Sequence, residues 1–288
     1  MRTRSNCRAT VALVALIVLG GSLFSYSASG QIMSRGGSPT PPDNSKLGSN
    51  PSPLTVDNTA AVRDSKESSE YKSFVSIPAD QSAKKIKSGE NFLKKYPDSQ
   101  LRPQVYSQLT VLYIQAGDPD KGFAAGSSAV QLNPKDMRTM GILSQTMARS
   151  VTPTTPDAAQ RLDQAEKYGK EALAVAPTLT KPEGVADDVF SNAKNEALAM
   201  AHSGLGLVEV QRGKFAEAIP DLQQAAQLDA GKDPTNFYLL GVANQNSGHY
   251  ADAATAFAQC AQAPGNLQAT CKSGADEAKK RASAALPK

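Results

Sequence analysis

Residues 237–257, FYLLGVANQNSGHYADAATAF, contain two helical patterns separated by a short polar turn, and they decide the fold. Before Gly248, apolar residues recur at the three- and four-residue spacing that places them on one face of a helix. A second segment with this spacing begins at Tyr250. Glycine ends helices well because the left-handed conformation costs it nothing. The stretch therefore predicts a helix, a tight turn and a second helix that folds back on the first.

The same pattern recurs at a fixed interval. Gly213 precedes Gly248 by 35 residues, and Ala218 precedes Ala253 by the same distance. A weaker copy has its turn at Gly117. Self-similarity at a period of about 34 residues indicates an array of helical hairpins, in which each hairpin buries its apolar face against its neighbours. We find no convincing run of alternating β-branched residues, so we expect an all-α fold.

These segments resemble tetratricopeptide repeats. Leu240-Gly241, Gly248, Tyr250, Ala253 and Phe257 stand at the offsets of that family, and residues 92–99, FLKKYPDS, resemble a helix ending of exported bacterial tetratricopeptide proteins. The resemblance covers about residues 70–265, with two strong and two or three degenerate repeats. It implies an α-solenoid of helix-turn-helix repeats that acts as a protein-protein interaction scaffold and not as an enzyme.

We expect an export segment at the N-terminus, residues 1–30. Basic residues come first, an apolar run at 9–24 follows, and small residues lead up to Gly30, in the order of a secretory signal. Cleavage after Gly30 would release the chain. Retention would attach it to a membrane through residues 9–24, although about 16 residues are few for spanning a bilayer. Both alternatives place the protein outside the cytoplasm, in the periplasm or associated with the cell envelope.

Two further regions follow. Residues 31–66 are rich in Pro, Ser and Gly, a composition that predicts a disordered linker. Residues 67–288 are predicted to form the repeat domain, closed by a capping helix at about 275–285. Within it we expect a half-unit at 83–96 before the first full hairpin and an unusually long helix from about Asp187.

Three positions depart from the repeat pattern. Gly122 and Gly126 stand where an alanine and an aromatic residue are expected, so we predict a poorly filled second helix there. Pro220 comes early in its helix, and proline is tolerated only within the first turn.

The sequence contains no recognisable catalytic motif. His-Glu-x-x-His, a phosphate loop and Gly-x-Ser-x-Gly are absent, and the two histidines, His202 and His249, stand 47 positions apart. We therefore predict no catalytic, cofactor-binding or metal-binding residue. The net charge of +4 is modest and lies partly in the first eight residues, so we predict no nucleic-acid partner.

Cys260 and Cys271 are the two cysteines that remain if the signal is cleaved. An even number of cysteines in an oxidising compartment favours a disulfide, which would hold the capping helix to the array. A redox-active pair and two buried free thiols are the alternatives.

The first helices of the hairpins are expected to line a concave binding face that is polar and rich in amides. Its members by repeat offset are Gln104, Ser107, Gln108, Gln115, Gln145, Gln211, Tyr238, Gln245 and Asn246. Such side chains suit a protein or peptide partner in a cell-envelope process. The alternative function is a structural spacer or subunit of an envelope assembly or secretion complex, which would use other faces.

Overall fold

The computed structural model describes residues 52–54, 64–152, 154–229 and 233–285. These residues form eleven α-helices and no strand. The helices are α1 (Ser65–Val75), α2 (Ser82–Lys95), α3 (Arg102–Gln115), α4 (Pro119–Leu132), α5 (Met137–Ser150), α6 (Ala158–Val175), α7 (Asp187–Gln211), α8 (Phe215–Leu228), α9 (Pro234–Asn246), α10 (Tyr250–Cys260) and α11 (Gln268–Ala284). Short 3₁₀ turns at Ala79–Gln81 and Ala176–Thr178 precede α2 and follow α6.

Consecutive helices pair into hairpins, and the hairpins stack. The pairs are α1/α2, α3/α4, α5/α6, α7/α8 and α9/α10, and α11 packs on α10 at the end of the array. The helix α5 contacts both its partner α6 and the following first helix, α7. The predicted all-α solenoid of helix-turn-helix repeats is therefore confirmed.

The three turn glycines have the backbone conformation that the sequence predicts. Gly117, Gly213 and Gly248 have φ angles of +82°, +75° and +82°. After each of them, the next residue donates its backbone N–H to the carbonyl oxygen five residues earlier, at 2.9 Å in all three turns. This is the Schellman bond that satisfies an otherwise unpaired carbonyl at the end of a helix. The three turns are thus structurally equivalent.

The helix α4 is well filled, contrary to the prediction from its glycines. A Cβ atom on Gly122 would lie 2.6 Å from Ile114 Cγ1, and one on Gly126 would lie 2.6 Å from Leu143 Cδ2. Neighbouring helices supply the volume that the glycines omit, so α3 and α5 approach α4 closely. The prediction was wrong because the packing between two helices depends on the side chains of both helices, and not only on those of α4.

The boundaries differ from expectation at both ends of the domain. The predicted half-unit is a complete hairpin, since α1 begins at Ser65 with Asp64 accepting from the Lys66 N–H at 2.8 Å. The helix α11 begins at Gln268, several residues before the predicted capping helix. The long helix starts at Asp187 as predicted.

Pro220 lies farther into its helix than expected. It is inside α8, which begins at Phe215, and so it falls beyond the first turn. Its ring faces solvent, and Ala216, whose carbonyl loses its helical donor, is also exposed. Because both groups reach water, the helix continues through the proline.

The predicted signal at residues 1–30, with its apolar run at 9–24, lies outside the described residues, as does most of the predicted linker. Within the predicted linker the structure describes residues 52–54, where the Leu54 side chain is buried, and 64–66, which cap and begin α1. Among the helices described here, none is long and apolar enough to cross a membrane.

Candidate binding face

Three successive first helices contribute one apolar residue each to a shared cluster. Val111 of α3, Ile142 of α5 and Met200 of α7 are all buried and form this cluster, with Ile114 packed against it. Stacking of the hairpins brings these residues together from positions that are far apart in the chain. We call the surface that α3, α5 and α7 form around this cluster the inner face.

A stripe of glutamines runs along α3 beside the apolar cluster. Gln104, Gln108 and Gln115 are spaced by four and seven residues, which puts them on one side of the helix. Gln108 is only 5% exposed, and neither its Nε2 nor its Oε1 atom has a hydrogen-bond partner among the described residues. The Oε1 atom of Gln104 is also buried without a partner. Leaving a buried polar group unpaired costs about 1–3 kcal/mol, so a ligand or a water molecule that pairs these atoms would be favoured.

The helix α5 adds polar residues on the side that carries Ile142. Arg138, Gln145 and Arg149 lie four, three and seven positions from Ile142, the spacing of a common helix face. Gln145 is buried. Burial lowers the pKa of Arg138, and the carboxylates of Glu196 and Asp136 oppose that shift.

Arg149 is held by an ion pair across the array. Its Nη2 atom lies 2.8 Å from Asp233 Oδ2, and both side chains are mostly buried. Burial alone would raise the pKa of Asp233, but the charge and hydrogen bond of Arg149 lower it below its usual range. Asp233 also caps α9 by accepting from the Thr235 N–H at 2.9 Å. The pair ties α5 to the start of α9.

Three other residues predicted for the face make contacts within the array. Ser107 forms a 2.6 Å hydrogen bond with Thr139 Oγ1 between α3 and α5. Gln211 donates to the carbonyl of Val151 at 3.4 Å, in the loop after α5. Tyr238 packs on Phe257, with ring centroids 6.1 Å apart.

The last two residues predicted for the face, Gln245 and Asn246, lie at the end of α9. Gln245 has a buried, unpartnered Oε1 atom, and the exposed Asn246 donates to the Val242 carbonyl at 2.8 Å. The structure therefore places Gln104, Ser107, Gln108, Gln115, Gln145 and Gln211 on the three helices of the inner face, whereas Tyr238, Gln245 and Asn246 lie on α9, outside it. Their role in binding stays a prediction.

Sequence reasoning missed the apolar residues and the arginines of the inner face. Ile142 and Met200 occupy first helices, where the repeat pattern predicts only a packing role for apolar residues. Arg138 and Arg149 stand in the most degenerate repeat, where the offsets are hardest to align. The signal that would have found them is their spacing from Gln145 on one helix.

The histidines do not form a pair. His202, on α7, has its Nδ1 atom 2.7 Å from Asp221 Oδ1 of α8, and His249 is exposed at the turn before α10. Within the described ranges, no group of three or more His, Cys, Asp or Glu side chains is placed to hold a metal ion.

The two cysteines lie at the joint between α10 and α11. The structure joins Cys260 and Cys271 by a disulfide, with Cα atoms 5.8 Å apart, in the usual range for such a bond. Both are fully buried in a cluster with Phe257, Ala275 and Ala278. The bond is positioned to hold α11 on the array, and its formation in the cell stays a prediction.

The architecture is that of a tetratricopeptide-type α-solenoid, and solved structures share it. One is the "MamA RS-1 ArsTM double mutant", which is 14% identical, with 70% of this chain and 96% of that chain covered and a TM-score of 0.50. Others are pilF of Pseudomonas aeruginosa (13% identity, 80% and 95% covered, TM-score 0.48) and TTC0263, a thermophilic TPR protein of Thermus thermophilus (20% identity, 74% and 99% covered, TM-score 0.47).

At these identities the likeness concerns the fold alone. No protein-family model and no curated protein matches the sequence.

Proposed function

We propose that the protein is an interaction scaffold whose inner face binds an extended segment of a partner protein. The observation that carries the proposal is Gln108, a nearly buried amide whose donor and acceptor have no partner among the described residues, three positions before Val111 of the apolar cluster. Rotation of this side chain towards the surface of α3 would bring both groups to a ligand. A peptide backbone offers both the acceptor and the donor that such an amide needs. Binding would therefore remove an unfavourable feature of the free protein.

The composition of the face suggests the chemistry of the partner. The glutamine stripe is uncharged, so we expect its contacts with a peptide backbone to depend weakly on salt. Val111, Ile142 and Met200 are 3%, 4% and 8% exposed, so an apolar side chain of the ligand would reach this cluster mainly through Met200. Methionine adapts its shape easily, which is typical of surfaces that accept several related sequences.

The test uses peptides selected from a random library on the wild-type protein. Gln108→Leu should weaken their binding at least about tenfold, which corresponds to losing a hydrogen bond worth about 1.4 kcal/mol. It should also stabilise the free protein by about 1–3 kcal/mol, because the unpaired amide is removed. Isothermal titration and urea unfolding measure the two effects.

Gln131→Leu is the matched control, since Gln131 is exposed on α4. It should change neither binding nor stability appreciably. Selected peptides that bind Gln108→Leu as tightly as the wild type would exclude the inner face as the binding site. A selection that yields no binding peptide would count against the scaffold function itself.

We further propose that the scaffold works outside the cytoplasm, in a cell-envelope process, and has no catalytic activity. The basic, apolar and small residues of positions 1–30 support export, and the cysteine pair suits an oxidising compartment. Sequencing the N-terminus of the native protein tests this: a start at Gln31 supports cleaved export, and a retained Met1 in the membrane fraction supports an anchor. A retained Met1 in the cytoplasmic fraction would contradict both.

A further inference from the structure

Leu54 is buried although it stands in the middle of the segment predicted to be a linker. Its side chain is 6% exposed. Its backbone N–H donates to Ser52 Oγ at 3.3 Å, which closes a short turn around Pro53. Proline restricts the backbone of such a turn, so the leucine is presented in a defined direction at little cost in entropy.

The residues around Leu54 form a socket where α5, α6 and α7 meet. Leu54 belongs to one apolar cluster with buried residues of these helices and of the turn after α6, with several half-buried side chains packed at its edge. The buried members other than Leu54, which we call the socket, are Met137, Met140, Ala172, Ala176, Ala197 and Ala201.

The socket has space for a leucine side chain because most of its own side chains are small. Four of its six members are alanines, contributed by α6, the turn after it and α7. Alanines at a junction of three helices leave space that must be filled, because protein interiors are close-packed and voids are unfavourable. A leucine side chain from outside the helical array supplies that volume.

We propose that the socket is a docking site for a leucine presented on a short proline-containing turn, and that the chain's own Ser52–Leu54 segment is its occupant. The site is separate from the inner face, because neither Gln108 nor the cluster of Val111, Ile142 and Met200 belongs to it. The proposal therefore does not depend on peptide binding at the inner face.

Docking of Leu54 restricts where the chain can run before α1. With Leu54 held at the α5–α6–α7 junction, only the ten peptide units between Leu54 and Asp64 connect it to α1, a span of at most about 35 Å. The chain is then held beside the middle of the array at residues 52–54, whereas α1 begins the first hairpin.

The experiment measures binding of a fluorescent peptide of residues 49–58, SNPSPLTVDN, to the full chain. Leu54→Asp should empty the socket and bind the peptide at least about tenfold more tightly than the wild type, whose socket is occupied; burial of one leucine is worth about ten- to hundredfold in a binding constant. The same peptide with aspartate in place of its leucine should lose at least about tenfold in affinity for the Leu54→Asp chain.

Leu132→Asp is the matched control, because Leu132 is 44% exposed on α4 and the change is chemically the same. This variant should bind the peptide no better than the wild type. The proposal is overturned if the Leu54→Asp chain shows no saturable binding, if all three proteins bind equally, or if the leucine of the peptide makes no difference. Should circular dichroism show that Leu54→Asp is unfolded, Leu54→Ala replaces it, since it removes the anchor without adding charge.

Discussion

At the scale of single residues, the pair of Arg149 and Asp233 connects hairpins that are not neighbours in sequence. The two side chains are mostly buried and 2.8 Å apart, so each depends on the other for its charge to be tolerated. Buried ion pairs of this kind contribute little net free energy of folding when compared with apolar side chains packed in the same place. Removal of one partner alone is costly, because the remaining charge stays in a poorly solvated site.

We predict that Arg149→Met lowers the free energy of unfolding by about 2–3 kcal/mol, less than for a fully buried pair because water still reaches both groups. Urea unfolding measures the change. The control is Arg281→Met, which removes an exposed pair with Glu277 on α11 and should cost no more than about 0.5 kcal/mol. Equal effects of the two variants would mean that the Arg149 pair contributes no more than a surface contact.

The same pair predicts a dependence of stability on pH. The pKa of Asp233 is lowered in the folded protein, so its contribution is present above the unfolded pKa of about 3.9 and is lost as the pH falls through the folded value. In Arg149→Met the burial of Asp233 would instead raise its pKa above the unfolded value, so protonation of Asp233 would favour the folded state. The stability that the variant lacks near pH 7 should therefore be partly recovered as the pH falls, and the difference from the wild type should shrink. Unfolding curves between about pH 3 and pH 7 compare the two proteins, and identical profiles would contradict the assignment.

At the scale of helices, α5 and α7 pack with almost no space between their backbones. A Cβ atom on Gly204 would lie 2.1 Å from Ser144 Oγ and 2.6 Å from the Ser144 carbonyl carbon. On the other side of the seam, a Cβ atom on Gly141 would lie 2.7 Å from the Ala197 carbonyl oxygen. The close approach allows α3, α5 and α7 to share one apolar cluster.

We predict that Gly204→Ala destabilises the protein by about 2–3 kcal/mol, because a backbone atom must move and overpacking outweighs the better helix propensity of alanine. Thermal unfolding provides the measurement. Gly274→Ala on α11 is the control: its Cβ atom would lie 3.1 Å from side-chain atoms of Phe257, which can shift. A Gly204→Ala protein as stable as this control would show that the seam separates easily.

The disulfide stabilises the position of one helix, α11. Cys260 and Cys271 close a loop with a sequence separation of 11, for which loop-entropy arguments give about 3 kcal/mol. We predict that Cys271→Ser exposes α11 to hydrogen exchange before the rest of the array. Reduction of the wild type with dithiothreitol should reproduce that pattern, and an α11 that stays protected in both would show that apolar packing alone retains it.

Sequence predicted the helices better than it predicted their contacts. The 35-residue interval and the turn glycines determine the hairpins, since each glycine adopts the left-handed conformation that they imply. Tyr238 could not be assigned in this way, because only the packed structure shows that it packs on Phe257 and away from the inner face. Leu54 escaped notice because its surroundings are rich in proline and serine, and the socket that receives it lies far along the chain.

At the scale of the whole molecule, the helices at the start of the array have fewer packing contacts than the helices in its middle. The helix α1 packs mainly on α2, whereas α5 has neighbours in two hairpins and α7 contacts α5, α6 and α8. In a stacked array each hairpin is stabilised mainly by its neighbours, so terminal units have fewer stabilising contacts. The stability of the protein is therefore expected to vary along the chain.

We predict that amide hydrogens exchange fastest in α1 and α2 and slowest in α5 and α7. Hydrogen exchange followed by mass spectrometry measures this under native conditions. The ion pair of Arg149 should extend the slow region to the start of α9, and Arg149→Met should shorten it. Uniform exchange along all hairpins would instead indicate that the array opens as one cooperative unit.

The equivalence of the turns at Gly213 and Gly248 bears on how such a chain can change its length in evolution. Removal of residues 214–248 would leave Gly213 followed by His249 and Tyr250, which occupy the places of Lys214 and Phe215, so the backbone could be rejoined without a new turn. The side chains are not interchangeable in this way, because Asp233 would be lost from its partner Arg149. The main chain can thus accommodate a duplicated or deleted hairpin at once. The side-chain contacts that distinguish one hairpin from the next must be acquired by later substitutions.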